Sequence, residues 1–163
     1  MKFFSNFHKT IILALCIISL QYCSTFGLVS SEERKFSQES VNKSYTAKRS
    51  FLKAKQWFTY RLEGAKSKII LDSPSEGKLE GIGFLKCRVP YGVEEVDVEF
   101  HEFKYKFQLN EPKVTFSVED IYSYSLDPND IVISYGPRNK REAVATIRLC
   151  FEPLAEDLFT YIQ

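Results

Sequence analysis

The chain has 163 residues, 44% of them hydrophobic and 15% aromatic, which suits one domain with a substantial core and excludes a disordered chain. Its formal charge is +1, and removal of residues 1–27 takes Lys2 and Lys9 but no acid, leaving 20 basic against 21 acidic residues. That balance excludes the broad basic footprint of a nucleic-acid-binding protein.

Lys2, His8 and Lys9 precede the apolar run Ile11–Leu20. A basic segment ahead of a short apolar core is the order of a secretory signal, and the run falls short of the roughly 20 residues of a membrane span. Two endings stand open. Thr25-Phe26-Gly27 offers small residues for ordinary cleavage near Gly27. Leu20-Gln21-Tyr22-Cys23 instead places Cys23 for lipidation, with Tyr22 where a small residue is preferred. Both put the folded part outside the cytoplasm, periplasmic or secreted, and anchored to a membrane only if Cys23 carries lipid. The expected organisation is a signal over 1–27, a polar tether over 28–44 that includes a first edge strand at Lys35–Val41, and a single α+β domain over 45–163, with a start near residue 36 as the alternative.

Ala47, Phe51, Ala54, Phe58 and Leu62 recur at helical spacing, and Trp57 widens the same face, so a helix with Trp57 as its core anchor is expected over 45–63. A short strand (Ser67–Asp72), a turn around Pro74 and Gly77, and a longer strand (Lys78–Val89) follow. Val96, Val98 and Phe100 alternate with acids, while Phe103, Tyr105 and Phe107 alternate with lysines. A hairpin turning at His101-Glu102 reconciles both patterns, pairing Glu99 with Lys104, Asp97 with Lys106, Val98 with Tyr105 and Val96 with Phe107. Lys113–Val118 reads as another strand, and Ile131–Tyr135 as a short strand or an irregular connection. A final helix is expected from Asn139 through Phe151, kinked or broken at Pro153 and resuming over Leu154–Ile162.

Two of the four cysteines lie in the signal, which leaves Cys87 and Cys150. Both face inward, Cys87 with Leu85 and Val89, Cys150 with Ala143, Ile147, Leu154 and Leu158. A disulfide and a pair of buried thiols are both open. Two cysteines and one mature histidine are too few for a structural zinc site, so no metal site and no cofactor is expected.

The glycines of Gly77-Lys-Leu-Glu-Gly81-Ile-Gly83 follow a turn and sit in a strand pattern, not ahead of a helix, so they read as sheet geometry and not as a phosphate loop. Glu94, Glu95, Asp97, Glu99 and Glu102 lack the spacing of a calcium loop and read as a charge-paired, solvated face. His101, the one histidine beyond the signal, sits at the expected turn tip with no nucleophile motif nearby, and no catalytic residue is assigned.

Taken together, Ala54-x-x-Trp57, the strand from Ala65-Lys66 to Ile70-x-Asp72, Gly77-Lys78-Leu79-x-Gly81-x-Gly83 and Lys104-Tyr105-Lys106-Phe107 resemble a secreted bacterial domain family of unknown function. The resemblance spans residues 36–125. It departs at Glu102-Phe103, where that family often has an Asp-Gly turn. It implies a TATA-binding-protein (TBP)-like fold, an antiparallel sheet of about five strands with two main helices on one face, and it supplies no catalytic residues. It implies neither DNA nor RNA binding. The expected function is a non-catalytic extracytoplasmic module binding a protein, an envelope component or a small ligand through the sheet face opposite the helices. A structural envelope lipoprotein held by Cys23 is the alternative, and a hydrolase dependent on His101 the third reading.

Overall fold

The longest strand explains most of the architecture. In the computed structural model, which describes residues 29–42, 46–62, 66–90, 96–136 and 140–163, β4 runs unbroken over Val96–Asn110. The other strands are β1 (Phe36–Val41), β2 (Lys68–Ser73), β3 (Lys78–Pro90), β5 (Lys113–Leu126) and β6 (Val132–Gly136). They form one antiparallel sheet in the order β1-β5-β4-β3-β2, and β6 also pairs with β5. β1 and β6 therefore share one edge of β5 end to end, β1 against Lys113–Val118 and β6 against Ser123–Leu126.

The hairpin expected at His101-Glu102 is absent. His101 lies mid-strand, paired with Leu85 on β3 and Ser123 on β5. Strict alternation along a continuous strand turns Glu99, His101, Phe103, Tyr105, Phe107 and Leu109 to one face. All six are buried. Phe100 must then face the other way, which the hairpin was invoked to avoid. The expected Glu99–Lys104 pairing fails for the same reason: Glu99 is buried, and Lys104 pairs with Asp120 at 2.8 Å.

β5 is twice the expected length because a bulge hides its second half. Glu102 pairs with Tyr122 and Lys104 with Glu119, so Asp120 and Ile121 together oppose Phe103. Asp120 takes the left-handed φ of 53° that such an extra residue can require. Val114, Phe116 and Val118 face the core before the bulge; Ile121, Ser123 and Ser125 face it afterwards.

Helix α1 (Ala47–Arg61) lays Phe51, Ala54, Trp57 and Phe58 on the covered face. Phe58 stacks on Tyr105 with centroids 4.3 Å apart and meets Phe107 edge-on at 6.0 Å. Trp57 is 1% exposed, and its indole N–H donates to Asp157 Oδ2 at 2.8 Å. Gly81 and Gly83 are where this core comes closest to the sheet: a Cβ at either would strike the Tyr105 or the Phe103 ring.

The C-terminal helical run passes Pro153 without a gap, and a second segment opens there with the proline in its first turn, at the expected boundary. Helix α2 (Lys140–Thr146) widens into a π-helical turn over Ile147–Phe151, and α3 (Glu152–Ile162) begins with Pro153 in its first turn. The Glu152 N–H reaches back to the Ile147 carbonyl, a π-type bond that admits the proline ring without fracture. The same turn carries the buried Cys150 and Phe151 toward the sheet. Among the described residues no helix is long and apolar enough to cross a membrane. The signal segment, with Cys23 and Gly27, lies outside the described residues.

Candidate functional site

The open face of the sheet divides into two unlike halves. Toward the β4–β5 turn it is ionic: Lys106 pairs with Glu119 at 2.9 Å, Lys104 with Asp120 at 2.8 Å and Lys78 with Glu80 at 2.9 Å. These exposed pairs contribute little each and mark an ordinary solvated surface. Beyond Glu102 the face turns aromatic. Phe84 on β3 and Phe100 on β4 lie 5.8 Å apart, Phe100 and Tyr124 on β5 5.7 Å, Tyr124 and Tyr122 5.9 Å, and Tyr122 and Tyr135 on β6 5.6 Å.

This row crosses four strands because the bulge moves Tyr122 and Tyr124 onto the face that Phe84 and Phe100 occupy. The first three rings stand side by side at interplanar angles of 27° and 21°, with Tyr124 buried among its neighbours. Lysines lie over all three, Lys66 Nζ at 5.6 Å from the Phe84 centroid and 5.9 Å from that of Tyr124, and Lys86 Nζ at 5.6 Å from that of Phe100. Cation–π contacts at such sites contribute about 0.5–1 kcal/mol. Lys66 also bonds Glu102 at 2.9 Å, and this carboxylate holds its ammonium pKa above the ordinary value. Desolvation, then Tyr135, raises the Tyr122 phenol.

At the β6 end the row runs into exposed apolar side chains. Ile131 is 61% exposed, Ile133 66%, Tyr135 61% and Tyr122 46%. Among the described residues no strand pairs with the outer edge of β6, so its backbone donors and acceptors border this patch. Asp127 fixes the approach to β6, its Oδ1 accepting from the amides of Asn129 at 2.8 Å and Ile131 at 2.9 Å.

A second cluster lies under the helices. His101 is fully buried, and its Nδ1 is 2.8 Å from Ser123 Oγ. Its Nε2 is 3.6 Å from Glu99 Oε2. Phe151 packs on the ring with centroids 5.7 Å apart. Burial pushes the imidazole pKa down to about 4. Serine, histidine and glutamate in contact resemble a hydrolytic triad, but a triad needs its serine open to a substrate carbonyl. Here Ser123 and His101 are 0% exposed and Glu99 3%, sealed between the sheet and the π turn. Cys87 and Cys150 adjoin this cluster and are joined by a disulfide with Cα atoms 5.9 Å apart.

The one histidine expected at a turn tip thus sits in the core, and Trp57 anchors α1 beneath the sheet. Sequence reasoning located the open face as a surface but missed its aromatic row, together with the roles of Ser123 and Glu99. The signal was the sequence Phe100-His101-Glu102-Phe103: two phenylalanines three apart on one strand face opposite sides, so one of them had to leave the core.

A six-stranded antiparallel sheet with helices on one face only defines an α+β protein of TBP-like fold. Solved structures that share it include the two that follow. A DUF4468 family protein from Bacteroides ovatus ATCC 8483 superposes with a TM-score of 0.57 at 11% identity, covering 80% of this chain and 88% of that one. A TBP-like protein from Parabacteroides distasonis ATCC 8503 gives 0.54 at 16% identity, covering 79% and 92%. At these identities the likeness is one of fold, and it agrees with the fold expected from the Trp57 helix and the glycine-bearing strand. No protein-family model and no curated protein matches the sequence.

Proposed function

We propose that the protein is a non-catalytic, extracytoplasmic binding module whose ligand is a polypeptide segment added as a strand to the outer edge of β6. The observation that carries this reading is the juxtaposition of that unpaired edge with the exposed Ile131, Ile133, Tyr135 and Tyr122. A docked strand would take affinity from main-chain hydrogen bonds and selectivity from side chains laid against the aromatic row. Exposed apolar surface beside a free edge is a liability that soluble proteins otherwise blunt, so its presence here supports use. Export is supported by the basic-then-apolar N-terminus and by the Cys87–Cys150 disulfide, which persists in oxidising compartments.

The test is site-specific photo-crosslinking in the native cell. A photoreactive phenylalanine at Tyr135 should yield a discrete protein adduct, whereas the same group at Ser117, on the ionic half of the open face, should not. Tyr122→Ser should abolish the adduct formed from position 135 while changing the unfolding free energy by no more than about 0.5 kcal/mol, as for other surface changes. No adduct at 135, or equal adducts at both positions, would overturn the reading.

A further inference from the structure

The buried cluster is built for something the open face does not use. Cys87 Sγ, Cys150 Sγ and a ring nitrogen of His101 all lie within 4.8 Å of one another. They come from β3, from the π turn and from β4, so three elements meet at one point. His101 is fully buried; Ser123 Oγ occupies its Nδ1 at 2.8 Å, while Nε2 makes no hydrogen bond among the described residues. Glu99 Oε2 stands 3.6 Å from that same Nε2. Two sulfurs and an imidazole nitrogen therefore converge on one small volume, with the Glu99 carboxylate beside the imidazole and the Ser123 hydroxyl placed to hold the ring.

This is a donor set for a tetrahedral, thiophilic cation. A zinc ion with bonds of about 2.3 Å to sulfur and 2.0 Å to nitrogen holds its donors roughly 3.3–3.8 Å apart. The donors here lie within 4.8 Å of one another, so side-chain rotations of about an ångström bring them to that spacing. Ser123 accepting from Nδ1–H would fix the tautomer with the Nε2 lone pair facing the sulfurs, the arrangement that orients metal-bound histidines generally. Counting cysteines and histidines alone had excluded such a site, but three protein donors that meet at one point suffice for zinc when solvent takes the fourth position.

We infer that reduction of the Cys87–Cys150 disulfide turns this cluster into a binding site for a thiophilic divalent cation of the zinc class, with Cys87, Cys150 and His101 Nε2 as the protein ligands and a solvent molecule in the fourth position. In the oxidised chain the sulfurs are bonded to each other and offer no thiolate. A dithiol reductant supplies two electrons and two protons: the S–S bond breaks, two S–H bonds form, and the reductant leaves as its own disulfide. Cation binding then displaces the two thiol protons. Cys87 is only partly buried, which gives the ion a way in. The position thus holds β3 to the C-terminal helix by a covalent link when oxidised and by a coordinated ion when reduced.

The experiment uses the full chain carrying Cys16→Ser and Cys23→Ser, so that Cys87 and Cys150 are the only thiols. It is reduced with a phosphine, freed of metal and titrated with Co²⁺ while absorbance is recorded; Zn²⁺ then competes. One Co²⁺ per chain is expected, with a thiolate-to-cobalt charge-transfer band and the intense visible bands of a tetrahedral site. The oxidised chain should show neither band. Ser123→Ala should weaken binding by roughly 10-fold, within the range seen when a ligand's supporting partner is lost, and His101→Gln, which removes a ligand itself, should weaken it further. Equal binding by the oxidised chain, an octahedral spectrum, or an unchanged affinity in His101→Gln would each overturn the assignment. Should the reduced, metal-free chain unfold, Zn²⁺ must restore its far-ultraviolet circular dichroism. Failure to do so counts equally against the site.

Discussion

The buried imidazole makes stability depend on pH in a window where few other groups titrate. In the folded chain the pKa of His101 is about 4, and the ordinary value, which the unfolded chain recovers, is 6.5. Between these values the unfolded state binds the proton and the native state does not, so stability falls as pH is lowered from 6.5 toward 4. The full difference is worth about 3 kcal/mol, at about 1.4 kcal/mol per pH unit. Against a total of roughly 5–15 kcal/mol for a domain of this size that is a large share. The groups facing the ring are the Glu99 carboxylate from β4, the Ser123 hydroxyl from β5, and the Cys87–Cys150 disulfide and Phe151 from β3 and the π turn. Of these only Glu99 can carry charge, and an ionised carboxylate there would attract an imidazolium, so the 3 kcal/mol is a ceiling. Urea unfolding followed by Trp57 fluorescence, at steps of pH from 7.5 to about 4, measures the effect in the wild type and in His101→Gln. The variant should be less stable at neutral pH yet show a flatter profile, the two curves converging as pH falls. A wild-type-minus-variant difference that stays constant across the window would refute the reasoning.

Three further outcomes follow from the core. Trp57→Ala should cost about 3–5 kcal/mol in urea unfolding, and a double-mutant cycle of Trp57→Phe with Asp157→Ala should show coupling of about 1 kcal/mol through the bond between them. Gly83→Ala should cost about 1–3 kcal/mol by driving a methyl group into the Phe103 ring, and the cost should largely vanish in a Phe103→Ala background. Reduction of the disulfide in the presence of a chelator, which releases a link across 63 residues, should lower stability by about 4 kcal/mol on the loop-closure model; a loss below about 1 kcal/mol would show that the unfolded chain is held compact by other means.

The helix around Trp57, the strand β3 and the inward aim of Cys87 were legible in the sequence because each follows one unbroken period. The misreadings share a physical cause, a local change of phase. At Phe100 and Phe103 the apolar positions fall on opposite sides of one strand, and a hairpin was supplied to bring them together. In β5 the bulge at Asp120 shifts the alternation by one residue, so the strand was ended at Val118, eight residues early. At Ile147–Phe151 the helix gains an extra residue per turn, which accommodates Pro153 at the expected boundary but departs from the helical spacing read there. The candidate site lies where the phase changes: the aromatic row needs the bulge, and the buried cluster needs both the full course of β4 and the π turn. Periodicity finds scaffolds, and it fails where a scaffold departs from its period to place side chains.

The bulge at Asp120 has a further result for how the chain can vary. By uncoupling the two halves of β5, it lets the half beside β1 keep its pairing and core contacts whatever happens in the half beside β6. Substitutions and even changes of loop length between Leu126 and Val132 can accumulate without shifting the register of Lys113–Val118. One strand is thereby divided into an invariant segment and an adaptable one, and related chains could share this sheet while differing in what they hold at its corner.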